Sequence, residues 1–437
     1  MIAPARLAAY ATLLAVEQGP TDLSTALARA RMSLRDERDR ALAGEIATGT
    51  LRWRAAFDQI ITAFANRPVT RLDVEVLTIL RLSLFQLLHL DRVPAAAAVD
   101  DAVQMARKMG KKSAAPFVNA LLRRASRERN RLPLPSRPAD TASDAEWMSY
   151  LSITLSHPGW LIERWMQRHG REATEAWATF NNTPAPLTIR ANTLRVSRDE
   201  LSSRLAAAGV SADPSAHARD GLVVRRGNPL ATPLAHTGDF FVQDEASQLV
   251  AEFAAARPGE RVLDACASPG GKTTAMAAAM NDEGLVVACD VRERRIRLLE
   301  RTVRESGAHA IRIAMVDASR PLPFARDFDL VLIDAPCSGL GTVRRDPDIK
   351  WRRSPDEFRG FADRQRQILA SASRVVRPGG RLVYSTCSSE PEENDEVIGA
   401  FLRDDTGFRV DGDPLRTLPF RDRLEAFYAC RLIRVNC

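Results

Sequence analysis

From residue 241 onward the chain repeats one pattern, in which a short apolar run ends in a polar loop and a helical stretch follows. The apolar runs that indicate buried strands lie at residues 261–265, 285–289, 311–315, 329–333 and 381–386. Strands that alternate with helices predict a parallel, doubly wound sheet, here in a domain over residues 241–437. Because ligands of such sheets bind beyond the carboxyl ends of the strands, the loops after these runs form the candidate site.

The first 130 residues follow a different pattern, because their apolar residues recur every three or four positions. This spacing predicts an all-α domain over residues 1–130. Residues 131–145 combine three prolines with serine, aspartate and alanine, and this composition is typical of a linker.

A mixed pattern over residues 146–240 predicts a small α+β domain between the other two. Residues 147–169 and 197–208 follow a helical pattern, whereas residues 186–190 and 221–225 are strand-like. A chain of 437 residues is also long enough to divide into three domains.

Basic residues are concentrated in the first domain. The net charge is +7, and the first 130 residues hold 20 Lys and Arg against 13 Asp and Glu, while the rest of the chain holds 42 of each. Lys111, Lys112, Arg123 and Arg124 lie on a helical pattern and are candidates for contacts with nucleic-acid phosphates. A solvated helix face is the alternative interpretation of the same residues.

The six cysteines favour neither a zinc site nor a disulfide framework. They lie at positions 266, 289, 337, 387, 430 and 437. None forms a C-x-x-C pair or has a His at metal-ligand spacing, and the chain is large enough to bury a core without disulfides. No apolar run approaches the roughly 20 residues of a membrane helix. We therefore expect reduced thiols in a cytoplasmic, monomeric protein without metal or membrane partners.

A glycine-rich turn follows the first strand of the predicted sheet. It reads Asp264-Ala-Cys-Ala-Ser-Pro-Gly-Gly-Lys272 and leads into a helix, so its backbone could approach a ligand closely. A phosphate loop would need Gly where Cys266 stands, and the G-x-G-x-x-G of a dinucleotide fold is absent. S-adenosylmethionine, whose amino and sulfonium groups are cationic, suits the carboxylates that end the next three strands, Asp290, Asp317 and Asp334. Asp290, after the second strand, is placed to hold ribose hydroxyls.

Two cysteines follow neighbouring strands in loops of small polar residues. Cys337 lies in Asp334-Ala-Pro-Cys-Ser-Gly-Leu-Gly341 and Cys387 lies in Tyr384-Ser-Thr-Cys-Ser. Core packing explains thiols poorly in such loops, although it is the interpretation for the cysteines at 289, 430 and 437. Because sequential strands usually lie side by side, both thiols can face one crevice.

A thiol beside a methyl donor indicates methylation of a pyrimidine at carbon 5. Addition of a thiolate at carbon 6 converts carbon 5 into a nucleophile that can attack a methyl group. Asp334 is placed to hydrogen-bond the amino edge and ring nitrogen of cytosine, which helps the ring to accept electrons.

Longer motifs resemble a known enzyme family. The catalytic motifs resemble those of the RNA cytosine-C5 methyltransferases: Phe241-Val-Gln-Asp-Glu-Ala-Ser-Gln248, the glycine turn, and the two cysteine loops. The first domain is similar to the NusB-like RNA-binding domain in Gly49-Thr-Leu-Arg-Trp53, Leu90-Asp-Arg-Val-Pro94 and Phe117-Val-Asn-Ala-Leu-Leu-Arg-Arg124. Over nearly the whole chain the resemblance is to the bacterial 16S rRNA cytosine-C5 methyltransferases of type B, in the RsmB/NOP family.

The resemblance implies a multidomain fold and a reaction. The fold would be an all-α NusB-like bundle, a small α+β RRM-like module and an α/β Rossmann-like class I methyltransferase. The reaction would transfer methyl from S-adenosylmethionine to carbon 5 of a cytosine in 16S rRNA, at position 967, through a covalent Cys–C6 adduct. The RNA would be naked or in an early assembly intermediate.

The resemblance also assigns roles to residues. Cys387 would be the nucleophile, Cys337 would assist product release and Asp334 would activate the base. The residues that it implies at S-adenosylmethionine are Cys266, Ala267, Ser268, Pro269, Gly270, Gly271, Lys272, Asp290, Asp317 and Asp334.

Two alternatives stay open at the level of sequence. DNA cytosine methyltransferases take their nucleophile from a Pro-Cys motif, so Cys337 is the rival of Cys387. An RNA-binding assembly factor with a vestigial transferase domain is the alternative function, although intact Asp334, Cys337 and Cys387 argue against it. The chain departs from the family in Ser268, where Ala is common, and in residues 424–432, which lack the usual Asp-Gly.

Overall fold

The computed structural model describes residues 2–435, and these divide into two compact units. Over the described residues, the first unit contains residues 2–184 together with 343–353, and the second contains residues 185–342 and 354–435. The division into three domains with boundaries at 130, 145 and 240 stays a prediction, because a division into two units does not test those boundaries. None of the helices over the described residues is both long and apolar enough to cross a membrane.

The first unit is helical, and for residues 1–130 this is what the apolar spacing predicts. Its helices are α1 Pro4–Gln18, α2 Leu23–Arg31, α3 Glu37–Arg52, α4 Arg54–Ala65, α5 Val74–His89, α6 Ala95–Lys108, α7 Ala115–Arg127, α8 Asp144–Ser149, α9 Gly159–His169 and α10 Arg171–Asn182. Helix α5 is central, because every residue from Val76 to Leu87 is buried. Arg81 within it is balanced by Asp58, which it binds through two hydrogen bonds of 2.7 and 2.8 Å.

The predicted continuous helix over residues 147–169 is wrong, because it is interrupted before α9. A π-helical turn over Tyr150–Thr154 follows α8, and Ser156 has a left-handed φ of 58°. Pro158 then precedes α9 and has no backbone N–H to continue the earlier helix.

Residues 343–353 fold within the first unit, although the sequence predicts them in the methyltransferase domain. Their short helix α15, Ile349–Arg352, is held by polar contacts to α3. The Trp351 indole donates to the carbonyl of Leu51 at 2.7 Å, and Nζ of the buried Lys350 donates to that of Arg52 at 3.0 Å. Because of these contacts, residues 343–353 pack on α3 and do not take part in the alternation of helices and strands that precedes and follows them.

The second unit begins with a small antiparallel sheet. Its elements are β1 Thr188–Ala191, α11 Arg198–Ala207, β2 Ser211–Pro214, β3 Gly221–Arg226 and β4 Phe240–Val242. The strand order is β2-β3-β1-β4, and α11 packs on this sheet through Leu201 and Leu205. This is the small α+β module that the resemblance implies, although the sequence pattern does not predict β2 and β4.

A larger mixed sheet forms the rest of the second unit. Its elements are α12 Glu245–Ala254, β5 Arg261–Asp264, α13 Gly271–Ala279, β6 Leu285–Asp290, α14 Glu293–Ser306, β7 Ile311–Met315, β8 Phe328–Asp334, α16 Glu357–Ser373, β9 Val376–Thr386, α17 Asp395–Asp404, β10 Phe408–Val410, β11 Leu415–Thr417, α18 Pro419–Asp422 and β12 Phe427–Arg434. The order is β10-β12-β9-β8-β5-β6-β7, and β11 pairs with β12. Strands β5 to β9 are parallel, as predicted, whereas β10, β11 and β12 pair antiparallel at one side.

The strand order reverses between β5 and β8. From β5 the chain proceeds through β6 to β7 on one side, and it returns through β8 to β9 on the other. The carboxyl ends of β5 and β8 therefore diverge into a crevice, which is where a doubly wound sheet binds ligands.

Candidate active site

A cavity of about 370 Å³ lies at this crevice. Seven of the residues that the sequence singles out line it: Cys266, Lys272, Asp290, Asp317, Asp334, Cys337 and Cys387. The rest of the glycine turn, residues 267–271, does not belong to this lining in the part of the chain that the structure describes. The sheet thus brings together residues that are up to 121 positions apart in the chain.

The glycine turn is shaped by its backbone. Gly270 has a φ of 108°, which side chains rarely adopt, and a Cβ atom there would lie 2.9 Å from Leu299. Behind the turn, the buried Arg190 of β1 donates to the Thr274 hydroxyl at 2.9 Å and so fixes the beginning of α13. The sequence does not predict this role of Arg190, because the residue lies in the small sheet and Thr274 lies in a helix of the large-sheet domain, 84 residues away.

Asp264, at the end of β5, is fully buried below the turn. The Thr273 hydroxyl donates to its carboxylate at 2.7 Å and thereby ties α13 to the strand. Burial raises the pKa of Asp264 to about 7, and the Thr273 hydrogen bond opposes this effect.

Two carboxylates line the part of the cavity next to β6 and β7. Asp290 is 5% exposed, and its oxygens accept from the backbone N–H groups of Val291 at 2.8 Å and Ser268 at 3.3 Å. Arg295 lies 3.2 Å from the same carboxylate. Asp317 accepts from both the hydroxyl and the N–H of Ser319, and these bonds lower the pKa of Asp317.

This donor set fits S-adenosylmethionine, whose amino and sulfonium groups are cationic. Asp317 stays ionised, and Asp334 adds a third carboxylate to the lining. Over residues 2–435, no three His, Cys, Asp or Glu side chains come together in a group that could hold a metal ion.

Lys272 and Asp334 form an ion pair between the cofactor loop and β8. The ammonium nitrogen lies 2.6 Å from Asp334 Oδ2 and 5.6 Å from the centre of the Phe427 ring. Burial opposes the charge on Lys272, but Asp334, with smaller contributions from Cys387 and Asp264, outweighs burial and raises the pKa of Lys272. Lys272 therefore remains a cation beside the thiols.

The two candidate thiols touch each other. Cys337 Sγ and Cys387 Sγ are 3.3 Å apart, and both side chains are half-buried. Contact with the Cys387 sulfur and then burial raise the pKa of Cys337 far above that of a free thiol. Cys337 is therefore held as a thiol that can donate to the Cys387 sulfur.

Gly341 lets the two cysteine loops approach closely. Its N–H donates to the carbonyl of Cys387 at 2.9 Å, and its carbonyl accepts from Ala426 at 3.0 Å. A Cβ atom at this position would lie 1.8 Å from the Ala426 oxygen and 2.8 Å from that of Cys387. Any side chain here would separate the loops.

The segment over residues 424–432, which lacks the family's Asp-Gly, still forms an ordered turn. The Thr417 hydroxyl donates to the carbonyl of Glu425 at 2.6 Å and accepts from the N–H of Phe427 at 3.0 Å. Strand β12 starts there, and Phe427 lines the cavity. The sequence pattern does not predict this role of Phe427.

Other lining residues also escape the sequence interpretation. Arg292 and Arg295 line the cavity from the start of α14, and Arg364 and Ile368 line it from α16. None of these residues belongs to a sequence motif. The sequence predicts their helices only as the helical stretches between the strands of the large sheet.

The remaining cysteines differ from the touching pair. Cys289 and Cys430 are buried, in agreement with packing, whereas Cys437 lies outside the described residues. Burial, followed by the charges of Asp264 and Asp334, raises the pKa of Cys266, so this cavity thiol is poorly suited to act as a nucleophile.

The candidate RNA-binding residues of the first unit differ in how far neighbouring carboxylates already neutralise their charge. Lys111 lies 3.1 Å from Asp73 and 3.4 Å from Glu75, and Arg124 lies 3.0 Å from Glu128. Lys112 is exposed, and the exposed Arg123 donates to the neutral Asn119 side chain at 2.9 Å. Lys112 and Arg123 therefore offer more free charge to a phosphate than Lys111 and Arg124 do.

Three family models match the chain in succession. Residues 3–127 match the NusB family, and residues 157–231 match the ferredoxin-like domain of RsmF/B-like methyltransferases. Residues 251–432 match the model described as 16S rRNA methyltransferase RsmB/F. The last of these spans the cavity and both thiols.

Relatives and solved structures agree with these matches. A probable ribosomal RNA small subunit methyltransferase B of Bacillus subtilis is 35% identical, over 89% of this chain and 85% of its own length. Ribosomal RNA small subunit methyltransferase B of Pseudomonas putida is 36% identical, over 92% and 90%. The crystal structure of PH0851 covers 99% of both chains with a TM-score of 0.80 and 25% identity. That of NSun6 from Pyrococcus horikoshii with SFG covers 64% of this chain and 99% of its own, with a TM-score of 0.58 and 21% identity, and supports the fold.

The mixed sheet, the crevice at its reversal and the acid-lined cavity define the class: a Rossmann-like methyltransferase whose cofactor is S-adenosylmethionine. Within that class, the chain belongs to the family of 16S rRNA methyltransferases RsmB/F. It is an S-adenosylmethionine-dependent rRNA methyltransferase with an N-terminal NusB domain.

Proposed function

We propose that this enzyme methylates carbon 5 of a cytosine in 16S rRNA through a covalent adduct with Cys387. The observation that carries the proposal is the pair of touching thiols, 3.3 Å apart, in the cavity that also contains the Lys272–Asp334 pair. Methylation of an exocyclic nitrogen or a ribose hydroxyl needs no thiol. Two thiols in contact within this cavity can serve the two steps of C5 methylation, in which one adds to the pyrimidine ring and the other assists the elimination that follows.

Cys387 is the proposed nucleophile. As a thiolate it adds to carbon 6, and the electron pair of the 5,6 double bond moves so that carbon 5 becomes nucleophilic. S-adenosylmethionine, when bound, supplies an electrophilic methyl group. We assign its contacts to the loop from Cys266 to Lys272 and to Asp290, Asp317 and Asp334.

The Lys272–Asp334 pair is proposed to activate the ring. The carboxylate offers an acceptor to the cytosine amino group, and the ammonium group bound to it offers a donor for the ring nitrogen. The positive charge of Lys272 also lies near Cys387. Such positioned groups typically contribute roughly 10²–10⁴-fold to a rate.

Cys337 is proposed to assist release of the product. After methyl transfer, a base removes the proton from carbon 5, the aromatic double bond re-forms and the Cys387 sulfur leaves carbon 6. Cys337, which remains a thiol, can donate a proton to the departing sulfur. The rival assignment exchanges the roles of the two cysteines.

Release of tritium from carbon 5 tests this reaction directly. Naked 16S rRNA carrying tritium at carbon 5 of its cytosines is incubated with enzyme and S-adenosylmethionine, and solvent tritium is compared with methyl incorporation. The proposal predicts one tritium released per methyl group, with 5-methylcytosine mapped to the position-967 cytosine. Methylation without release would contradict it.

The same experiment addresses the substrate and the alternative function. Transfer to an early assembly particle but not to naked RNA would define the substrate as an assembly intermediate. Methyl groups that map to another cytosine or another RNA would contradict the assignment of position 967. Tight RNA binding without transfer to either substrate would favour an assembly factor with a vestigial transferase domain.

A further inference from the structure

A single buried carboxylate, that of Glu393, connects the loops of both thiols. Its Oε1 accepts from the backbone N–H of Ser338 at 2.7 Å, and its Oε2 accepts from the hydroxyls of Ser338 and Ser388, each at 2.5 Å. The two serines directly follow Cys337 and Cys387 in the chain, and their hydroxyls lie 3.2 Å apart. Glu393 is fully buried and does not belong to the cavity lining described above.

Further hydrogen bonds fix the carboxylate and the residues on the other side of each thiol. Gln365 donates to Glu393 Oε1 and to the carbonyl of Pro336, which precedes Cys337, both at 3.1 Å. The neighbouring Asn394 accepts from the Thr386 hydroxyl at 2.6 Å and donates to the carbonyl of Ser388 at 2.9 Å. The network therefore contacts the chain before and after each cysteine.

Such a carboxylate is costly to bury, because a charge in the core loses its hydration. Burial raises the pKa of Glu393, while the hydrogen bonds from Ser338, Ser388 and Gln365 oppose this effect. An apolar side chain would fill the same space without that cost. A carboxylate is favoured here because it can accept several hydrogen bonds at once from loops 50 residues apart.

We infer that Glu393 is a positioning residue, which sets the separation of the Cys337 and Cys387 sulfurs through Ser338 and Ser388. The inference rests on the proposed function, in which one sulfur attacks the cytosine and the other assists its release. Misplacement of a reacting group by about 1 Å can cost on the order of 10²-fold in rate, so a loosened network should slow the chemistry. Binding of S-adenosylmethionine should be unaffected, because the cofactor side of the cavity is held by other contacts.

Thiol–disulfide exchange measures this separation without RNA or cofactor. The full-length enzyme is equilibrated with oxidised and reduced dithiothreitol. A Cys thiolate attacks the cyclic disulfide, and the second Cys thiolate attacks the mixed disulfide, so the protein pair is oxidised as the reagent is reduced to its dithiol. Alkylation and peptide mass spectrometry then give the fraction that carries a Cys337–Cys387 disulfide, and hence the effective concentration of the two thiols.

Glu393→Gln keeps the size of the side chain but removes its charge and one acceptor oxygen, and Glu393→Ala removes the network. We expect the effective concentration to fall about tenfold and about a hundredfold, respectively, in line with the cost of misplacement. Ser338→Ala combined with Ser388→Ala removes the hydroxyl donors without a large cavity, and it should match Glu393→Gln. The single-turnover rate constant of methyl transfer should fall in the same order, and the steady-state KM for S-adenosylmethionine should be unchanged.

Glu260→Gln is the matched control, because this half-buried carboxylate binds Arg381 and the N–H of Arg257 at the opposite end of β5. It should lower the melting temperature while leaving thiol exchange and methyl transfer as in the wild type. If the Glu393 variants exchange thiols as the wild type does, or transfer methyl at the wild-type rate, the inference is overturned. If instead the wild type methylates RNA without releasing tritium from carbon 5, the proposed function fails, and the exchange result still decides whether Glu393 positions the thiols.

Discussion

The two carboxylates next to β6 and β7 and the two thiols of the cavity are oriented by contacts that differ in range. Asp290 and Asp317 accept from the N–H groups of Val291 and Ser319, one and two residues further along the chain, and the longest backbone contact, from Ser268 to Asp290, spans 22 residues. On the thiol side, Cys337 meets Cys387 across 50 residues, and Glu393 binds Ser338 across 55. Local contacts can be inferred from a short motif. The contact between the two thiols, in contrast, forms only when β8 and β9 pair and bring their loops together. Changes on the thiol side should therefore affect chemistry, and changes on the cofactor side should affect affinity.

The largest effect is expected for Asp334→Asn, because we assign this residue both to the cofactor and to activation of the base. It removes the charge that pairs with Lys272, and single-turnover methyl transfer should fall by roughly 10²–10⁴-fold. Lys272→Met breaks the same pair and should cost a similar factor. Because both residues act as one unit, the double variant should be little slower than either single variant. Independent, multiplicative effects would show that the two residues act separately.

Asp290→Ala on the cofactor side should weaken S-adenosylmethionine binding by about one to two decades. The basis is the removal of a charge-assisted hydrogen bond in a buried site, worth roughly 1.5–3 kcal/mol. Calorimetry measures the cofactor affinity, and RNA binding should be unchanged. Glu293→Ala, which removes an exposed acid three residues away that pairs with Arg297, is the control and should leave both affinities intact. Unchanged cofactor affinity in Asp290→Ala would contradict the assignment.

The smallest effect concerns the basic residues of the first unit. Replacing Lys112 and Arg123 by Ala should flatten the dependence of log K for RNA on log salt by roughly 0.7 for each phosphate that is no longer neutralised. Replacing Lys111 and Arg124 should change this slope less, because carboxylates already neutralise both side chains. Equal slopes in the two double variants and in the wild type would identify a solvated helix face.

The same difference in range explains what the sequence predicts. The pattern predicts the five parallel strands closely, because each is a continuous apolar run between turns. Strand β9 starts at Val376 rather than at 381, because Val376 pairs with Phe328 before the Pro-Gly-Gly that suggests a turn. The strands β2, β4, β10 and β11 have three or four residues each and carry no periodic signal.

The site shows the same limit. The sequence predicts Lys272, Asp334, Cys337 and Cys387 in one crevice, and the cavity contains all four. It does not predict Glu393, Arg190 and Phe427 as parts of the site, because the contacts that join them to Ser338, Thr274 and Lys272 span 55 residues or more. The position of residues 343–353 in the first unit is missed for the same reason, since it depends on α3.

The division of labour between the two thiols is the central claim, and trapping the RNA adduct tests it most directly. Cys337→Ala and Cys387→Ser enzymes are incubated with 16S rRNA and S-adenosylmethionine and are analysed by denaturing gel electrophoresis. Cys337→Ala should add to the base, stall before release and accumulate a covalent protein–RNA species. Cys387→Ser should give neither adduct nor turnover, because a hydroxyl is not an accessible anion at neutral pH. An adduct trapped by Cys387→Ser and absent from Cys337→Ala would contradict the account and make Cys337 the nucleophile.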